Sequence, residues 1–207
     1  MTLLFSQKVK TEGELLSVIG EPNEMARKKV INCVDQHCRD FIAQSPFIIL
    51  SSSSGSCCDA SPRGDAPGFV SVLDNNHLLI PERRGNKRMD SLRNILKNPY
   101  VGLLFLIPGM GETLRVNGKA TLVKDEELLK QLEVEGKVPL IGILVEVEEC
   151  FIHCAKAFKR SSLWEPEHWP KKYPSAAKML AHHVKLPNAT EESIQTSLQE
   201  GYEKRLY

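Results

Sequence analysis

The chain has 207 residues, of which 42% are hydrophobic and 26% charged, with a formal net charge of +1. That much apolar side chain supports a well-buried core and excludes a disordered chain. A near-neutral balance also disfavours a general nucleic-acid coat, which carries far more positive charge.

The first ten residues, MTLLFSQKVK, carry neither a long apolar stretch nor a small-residue cleavage site, so no signal peptide is read. No apolar run is long enough to span a bilayer. The expected compartment is therefore the cytoplasm, where the six cysteines, none of them in a CxxC pair, stay as free thiols. Thr11-Glu12-Gly13-Glu14 resembles a capping box before Leu15, Leu16, Val18 and Ile19. From Asn23 to about Gln44, Met25, Val30, Val34, Phe41 and Ile42 recur at helical spacing, and Pro46 closes that helix. His37 lies four residues from Cys33, but no further ligand pair completes a metal site, so no metal is expected.

Phe47 to Leu50 reads as a short strand, and the serine run after it, with Cys57-Cys58-Asp59, as a loop. Ser61 onward is a polar turn leading to two short strands, Phe69 to Leu73 and Leu78 to Ile80, joined by Asp74-Asn75-Asn76. Pro81 ends the second strand because it lacks a ladder donor. The next helix places Met89, Leu92 and Leu96 on one face, with Ile95 close by, and Asn98-Pro99 stops it. Tyr100 to Ile107 is a continuous apolar run, as a strand buried on both faces would be. Thr113 to Val123 alternates, with a kink expected at Gly118. Asp125 caps a helix to about Glu133, and Leu140 to Val147 forms another strand. Thr190 caps a last helix from Glu191 to about Arg205. About six strands in hairpin-rich order suggest an antiparallel barrel or sheet with peripheral helices.

One stretch is out of place. From Glu82 to Lys97 six basic residues stand against two acidic ones, Glu82 and Asp90. Several crowd the start of a helix, where partial positive charge disfavours them. A bound phosphate would resolve the conflict and would be anchored by Arg83, Asn86, Lys87 and Arg88. A solvated charge run is the plainer alternative. A second stretch, His153 to Trp164, puts Lys156, Lys159 and Arg160 just after a strand. There Lys156 or Arg160 could meet an anion while Trp164 stacks on a flat ring. A polar loop with a half-buried tryptophan fits the same pattern.

Four ordered segments, SPRGDAPGFVSVLD, LLIPERRGNKRMDSLRNILKNPYVGLLFLIPG, ETLRVNGKA and HCAKAFKRSSLW, resemble the pyridoxamine 5'-phosphate oxidase-like, FMN-binding split-barrel superfamily. Within it they are most similar to a subgroup of FMN-dependent enzymes of unknown substrate. The resemblance implies a mainly β, six-stranded antiparallel split barrel with helices at both ends. It implies one domain over 1–207, with a helical arm at 1–45, the barrel core at 46–165 and a helical tail at 166–207. It also implies a homodimer with FMN in each of two interface grooves, without nucleic acid or membrane. Arg63 matches the strand arginine that holds the flavin phosphate in such proteins, and Arg83, Asn86, Lys87, Arg88 and Ser91 match the cluster that opens the helix. This chain adds about one turn to that helix. Lys156, Arg160 and Trp164 fall where relatives complete the groove from the second subunit. The substrate-binding arginine-and-histidine pattern of the true oxidase is not found, and the substrate stays open.

Flavin supplies the redox chemistry, which accounts for the lack of an acid–base dyad or a nucleophile in the sequence. Arg115 and Lys119, four residues apart on one strand and so on the same face by its period-2 spacing, are candidates to bias a flavin from its pyrimidine edge, although both fit solvent-facing positions equally. The first reading is an FMN-dependent oxidoreductase. The alternatives are a non-catalytic binding module for FMN or another flat anionic cofactor such as haem or a deazaflavin, and a flavin-free interaction protein.

Overall fold

The computed structural model describes residues 7–207. The first six residues of the segment read for a signal peptide lie outside them. In chain order the elements are α1 (Glu12–Ile19), α2 (Glu24–Lys28), α3 (Gln36–Gln44), β1 (Phe47–Ser53), β2 (Cys58–Gly64), β3 (Ser71–Val72), β4 (His77–Pro81) and α4 (Asp90–Lys97). They continue with β5 (Tyr100–Leu106), β6 (Thr113–Val123), α5 (Glu126–Lys130), β7 (Gly142–His153), α6 (Lys156–Ser161), α7 (Ala176–Val184) and α8 (Glu191–Lys204).

The seven strands form one antiparallel sheet in the order β2-β1-β5-β6-β7-β4-β3. Its frame is the split barrel implied by the resemblance; the seventh strand is the two-residue β3. The central strands bury a continuous core, with Ile48, Leu50, Leu103, Phe105, Leu114, Val116, Ile143 and Val145 almost fully enclosed. β4 is buried on both faces. Leu78 and Ile80 join that main core, and Leu79 packs with Leu129 and Leu132 in a smaller one. The kink expected at Gly118 is a β-bulge against β7, and a β-carbon there would run into the Glu146 carbonyl oxygen.

Several expectations are corrected. The helix read from Asn23 to Gln44 is two helices. β-Branched Val30 and Ile31 leave it, Ile31 bridges to Cys150, and the Asp35 carboxylate caps the second helix at the Cys38 N–H. Cys58–Gly64, read as loop and polar turn, is a full edge strand, because its backbone pairs residue for residue with β1. Phe69 to Leu73 keeps only Ser71 and Val72 in a ladder. On α4 the buried face is Ser91, Leu92, Asn94 and Ile95, while Leu96 is 75% exposed and Met89 also faces solvent. Polar Ser91 and Asn94 are buried because each finds a partner: Ser91 Oγ donates to Asp59 on β2 and Asn94 Nδ2 to Ser52 on β1.

Candidate functional site

The sheet does not close by backbone hydrogen bonds between β2 and the β4–β3 end. Side chains span the gap instead. Arg63 on β2 pairs with Glu82 just after β4. Arg83 Nε donates to Asp65, just beyond β2, across 2.6 Å. The Asp65 carboxylate is 1% exposed and the Arg83 side chain 17%. Burial pushes the Asp65 carboxyl up. Hydrogen bonds from the Tyr207 hydroxyl and the Ala66 N–H, together with Arg83, outweigh that and hold it below the usual aspartate range. The same contact holds the Tyr207 phenol above its usual range, and its ring lies 5.9 Å from the Arg83 guanidinium. Arg83 also donates to the Leu132 carbonyl at 2.7 Å, and Lys137 to the Tyr207 carbonyl at 3.2 Å.

Two neighbouring hollows share the loop 82–86. One, of about 380 Å³, is lined by Arg63, Arg83, Arg84 and Asn86 together with Ser61 and Phe69. The other, of about 580 Å³, adds Lys87 and Lys137 to an apolar wall that includes Leu92, Val138 and Ile141. Arg63 lines the first, and its Nε is enclosed and has no hydrogen-bond partner, alone among buried side-chain polar atoms of the described residues. A buried donor left unmade is costly, more so on a charged group. Arg84 is exposed and has no ion pair among the described residues. Lys87 and Met89 both take left-handed backbone conformations (φ 60° each) immediately before α4, and Met89 offers that helix no side-chain cap. Non-glycine residues held there store strain, a feature concentrated at ligand clamps.

The structure therefore brings Arg63, Arg83, Asn86 and Lys87 together. It places the other sequence candidates elsewhere. Arg88 lines neither hollow and pairs with Asp90 at the surface, its pKa raised by that bond. Ser91 is buried against Asp59. Arg115, on β6, lies 5.4 Å from the Phe151 ring and lines a separate hollow with Ile49, Leu104 and Asn117. Lys119 is paired with Glu148 at 2.9 Å. Lys156 and Arg160 are exposed on α6, at the far end of β7. Trp164 donates to the Met110 carbonyl at 2.8 Å and stacks on Phe158 with ring centroids 5.7 Å apart. Arg84, Asp65, Lys137 and Tyr207 join the site without having been nominated as ligands. Arg84 stood in the basic run; for Tyr207 no sequence signal exists, since its contact with Asp65 spans 142 residues.

Comparison with known proteins yields a match between residues 34–154 and the pyridoxamine 5'-phosphate oxidase family. No curated protein matches the chain. Solved structures with similar backbones include HupZ from Group A Streptococcus, at 16% identity and a TM-score of 0.47, covering 57% of this chain and 92% of that one. General Stress Protein 26 from Bacillus anthracis aligns at 16% identity and a TM-score of 0.42, covering 56% and 94%. An FMN-binding protein from Syntrophomonas wolfei aligns at 11% identity and a TM-score of 0.45, covering 56% and 83%.

Proposed function

Since the chain belongs to the pyridoxamine 5'-phosphate oxidase family, we propose that it binds FMN and acts as an FMN-dependent oxidoreductase. The observation that carries this reading is the buried, unpartnered Nε of Arg63, a residue that lines a hollow with Arg84 and Asn86. A phosphate monoester supplies what that hollow lacks. Its oxygens would accept from Arg63 Nε and from the exposed Arg84 guanidinium, and both donors suit planar, charge-assisted contacts. Asn86 already accepts from the Arg88 N–H through its oxygen, which leaves its amide nitrogen as a donor. Glu82 and Asp65 are each tied to an arginine, so they hold the cations in place without cancelling them all. The residues present thus fit a phosphate-bearing cofactor. The larger hollow, with cations at its rim and an apolar wall, suits a flat organic body beside that phosphate.

Bound flavin would supply hydride or single-electron transfer, and the chain's own part is to bind, orient and shield it. Arg83 positions rather than binds. Its guanidinium is committed to Asp65 and the Leu132 carbonyl, so it fixes the loop that carries Arg84 and Asn86. In the proposed assembly two copies pair, the Lys156–Trp164 segment of one closing the groove of the other, in a protein of the cytoplasm. The test is the visible spectrum of freshly purified protein, with identification of whatever heat releases. FMN bands and released FMN support the reading. A Soret band would assign haem, and a colourless protein that ignores added FMN would end the flavin reading. Bleaching by NADH or NADPH then separates an enzyme from a binding module.

A further inference from the structure

Away from that site, two thiols meet in the core. Cys38 lies on α3 and Cys150 on β7, 112 residues apart, and Cys150 Sγ donates to Cys38 Sγ across 3.3 Å. Cys38 is the third residue of α3, after the Asp35 cap, Gln36 and His37. A helix N-terminus favours a thiolate in its first turn. The hydrogen bond from Cys150 lowers the Cys38 pKa, against burial and the nearby Asp35 carboxylate. The Cys150 thiol is pushed far up by Cys38 and by burial, so the shared proton stays on Cys150. Exposure divides the pair in the same sense: Cys38 is 8% exposed and Cys150 is fully enclosed.

We propose that Cys38 and Cys150 form an oxidisable dithiol that reacts with hydrogen peroxide, with Cys38 as the nucleophile and Cys150 as the resolving thiol. The Cys38 thiolate attacks one peroxide oxygen, breaks the O–O bond and becomes a sulfenic acid, while the departing hydroxide takes a proton to give water. Cys150 then attacks the Cys38 sulfur, closes the disulfide and releases the sulfenic oxygen as a second water. Two thiols lose two protons and two electrons, and one peroxide is reduced to two waters. Cys150 also exchanges both backbone hydrogen bonds with Ile31, at 3.1 and 2.7 Å. The disulfide would therefore fasten the segment before α3 and α3 itself to β7, and would constrain the unfolded chain through a long loop.

The experiment treats the native full-length chain with stoichiometric peroxide, blocks remaining thiols, and maps tryptic peptides without reduction. The expected result is a loss of two hydrogens in intact mass and a link between peptides 30–39 and 138–156. Each peptide holds a second cysteine, Cys33 and Cys154, so the mapping is repeated in the Cys33→Ser, Cys154→Ser chain, where the link must persist. In Cys150→Ser the reaction should stop at a dimedone-trappable sulfenic acid on Cys38. A rise in thermal midpoint on oxidation, reversed by dithiothreitol, is the independent reading on unmodified sequence. Both thiols remaining alkylatable after peroxide, or a link that disappears in the Cys33→Ser, Cys154→Ser chain, would overturn the proposal.

Discussion

The segments 83–88 and 156–160 are close in composition, with four basic residues in the first and three in the second. Their surroundings differ in kind. In the first, Arg83 is largely buried on Asp65, Arg63 reaches in from β2, and the Arg63 Nε–H has no partner. In the second, Lys156 and Arg160 lie exposed on a six-residue helix, and the Trp164 nitrogen is already satisfied by Met110. Within one copy, positive charge alone thus does not mark a binding site. The informative features are desolvation, carboxylates that pin some of the cations, and a donor whose hydrogen bond remains to be made. A solvated cation shows none of these.

The largest effect expected from breaking this contrast is at Asp65. Asp65→Ala leaves Arg83 buried without its partner and should cost about 3–5 kcal/mol of stability, read as a shift in urea midpoint. The same carboxylate sets a pH response. Its folded-state pKa is depressed, so its contribution is complete above the unfolded value of 3.8 and is lost as pH falls below that through the folded value. The acid limb of the stability profile should be shallower in Asp65→Ala. Next in size is ligand affinity. Arg63→Met removes the unpartnered donor and should weaken FMN binding about ten- to a hundredfold, the worth of a charge-assisted bond, in a fluorescence titration. Unchanged affinity would remove Arg63 from the phosphate site. Trp164→Phe keeps the stack on Phe158 and loses the bond to Met110, for about 1 kcal/mol of stability. Smallest is the double change Lys156→Ala, Arg160→Ala. On these exposed positions it should alter stability by no more than about 0.5 kcal/mol. A larger loss would show that the second segment is held as firmly as the first.

Much of the strand pattern was legible locally. The apolar run of β5 and the alternation of β6 marked both as strands, and Gly118 marked a bulge where no side chain fits. The burial of β5 on both faces expected from that run is not found, because Tyr100 is exposed and Gly102 and Leu104 are only half-buried on its second face. β2 was not legible from pattern: CDASPRG is polar and contains a proline, and it becomes a strand because β1 offers it a full register. On α4 the repeat of Met89, Leu92 and Leu96 suggested a face of which the fold buries only Leu92, with Ile95 beside it. Hydrogen bonds to Asp59 and Ser52 draw Ser91 and Asn94 inward instead. The basic loop stood out in the sequence, yet its division into a positioning Arg83, an exposed Arg84 and a surface-paired Arg88 did not.

By itself the sequence determined most of the extended and helical segments and that a cationic loop precedes α4, because periodicity, caps and charge are properties of neighbouring residues. Only the tertiary structure decided which cations are paired, which donor is left over and which thiols touch. Those outcomes depend on contacts such as Arg63 with Glu82, Tyr207 with Asp65 and Cys38 with Cys150, between groups 19, 142 and 112 residues apart. Burial converts such encounters from weak surface contacts into interactions that set charge, strain and reactivity.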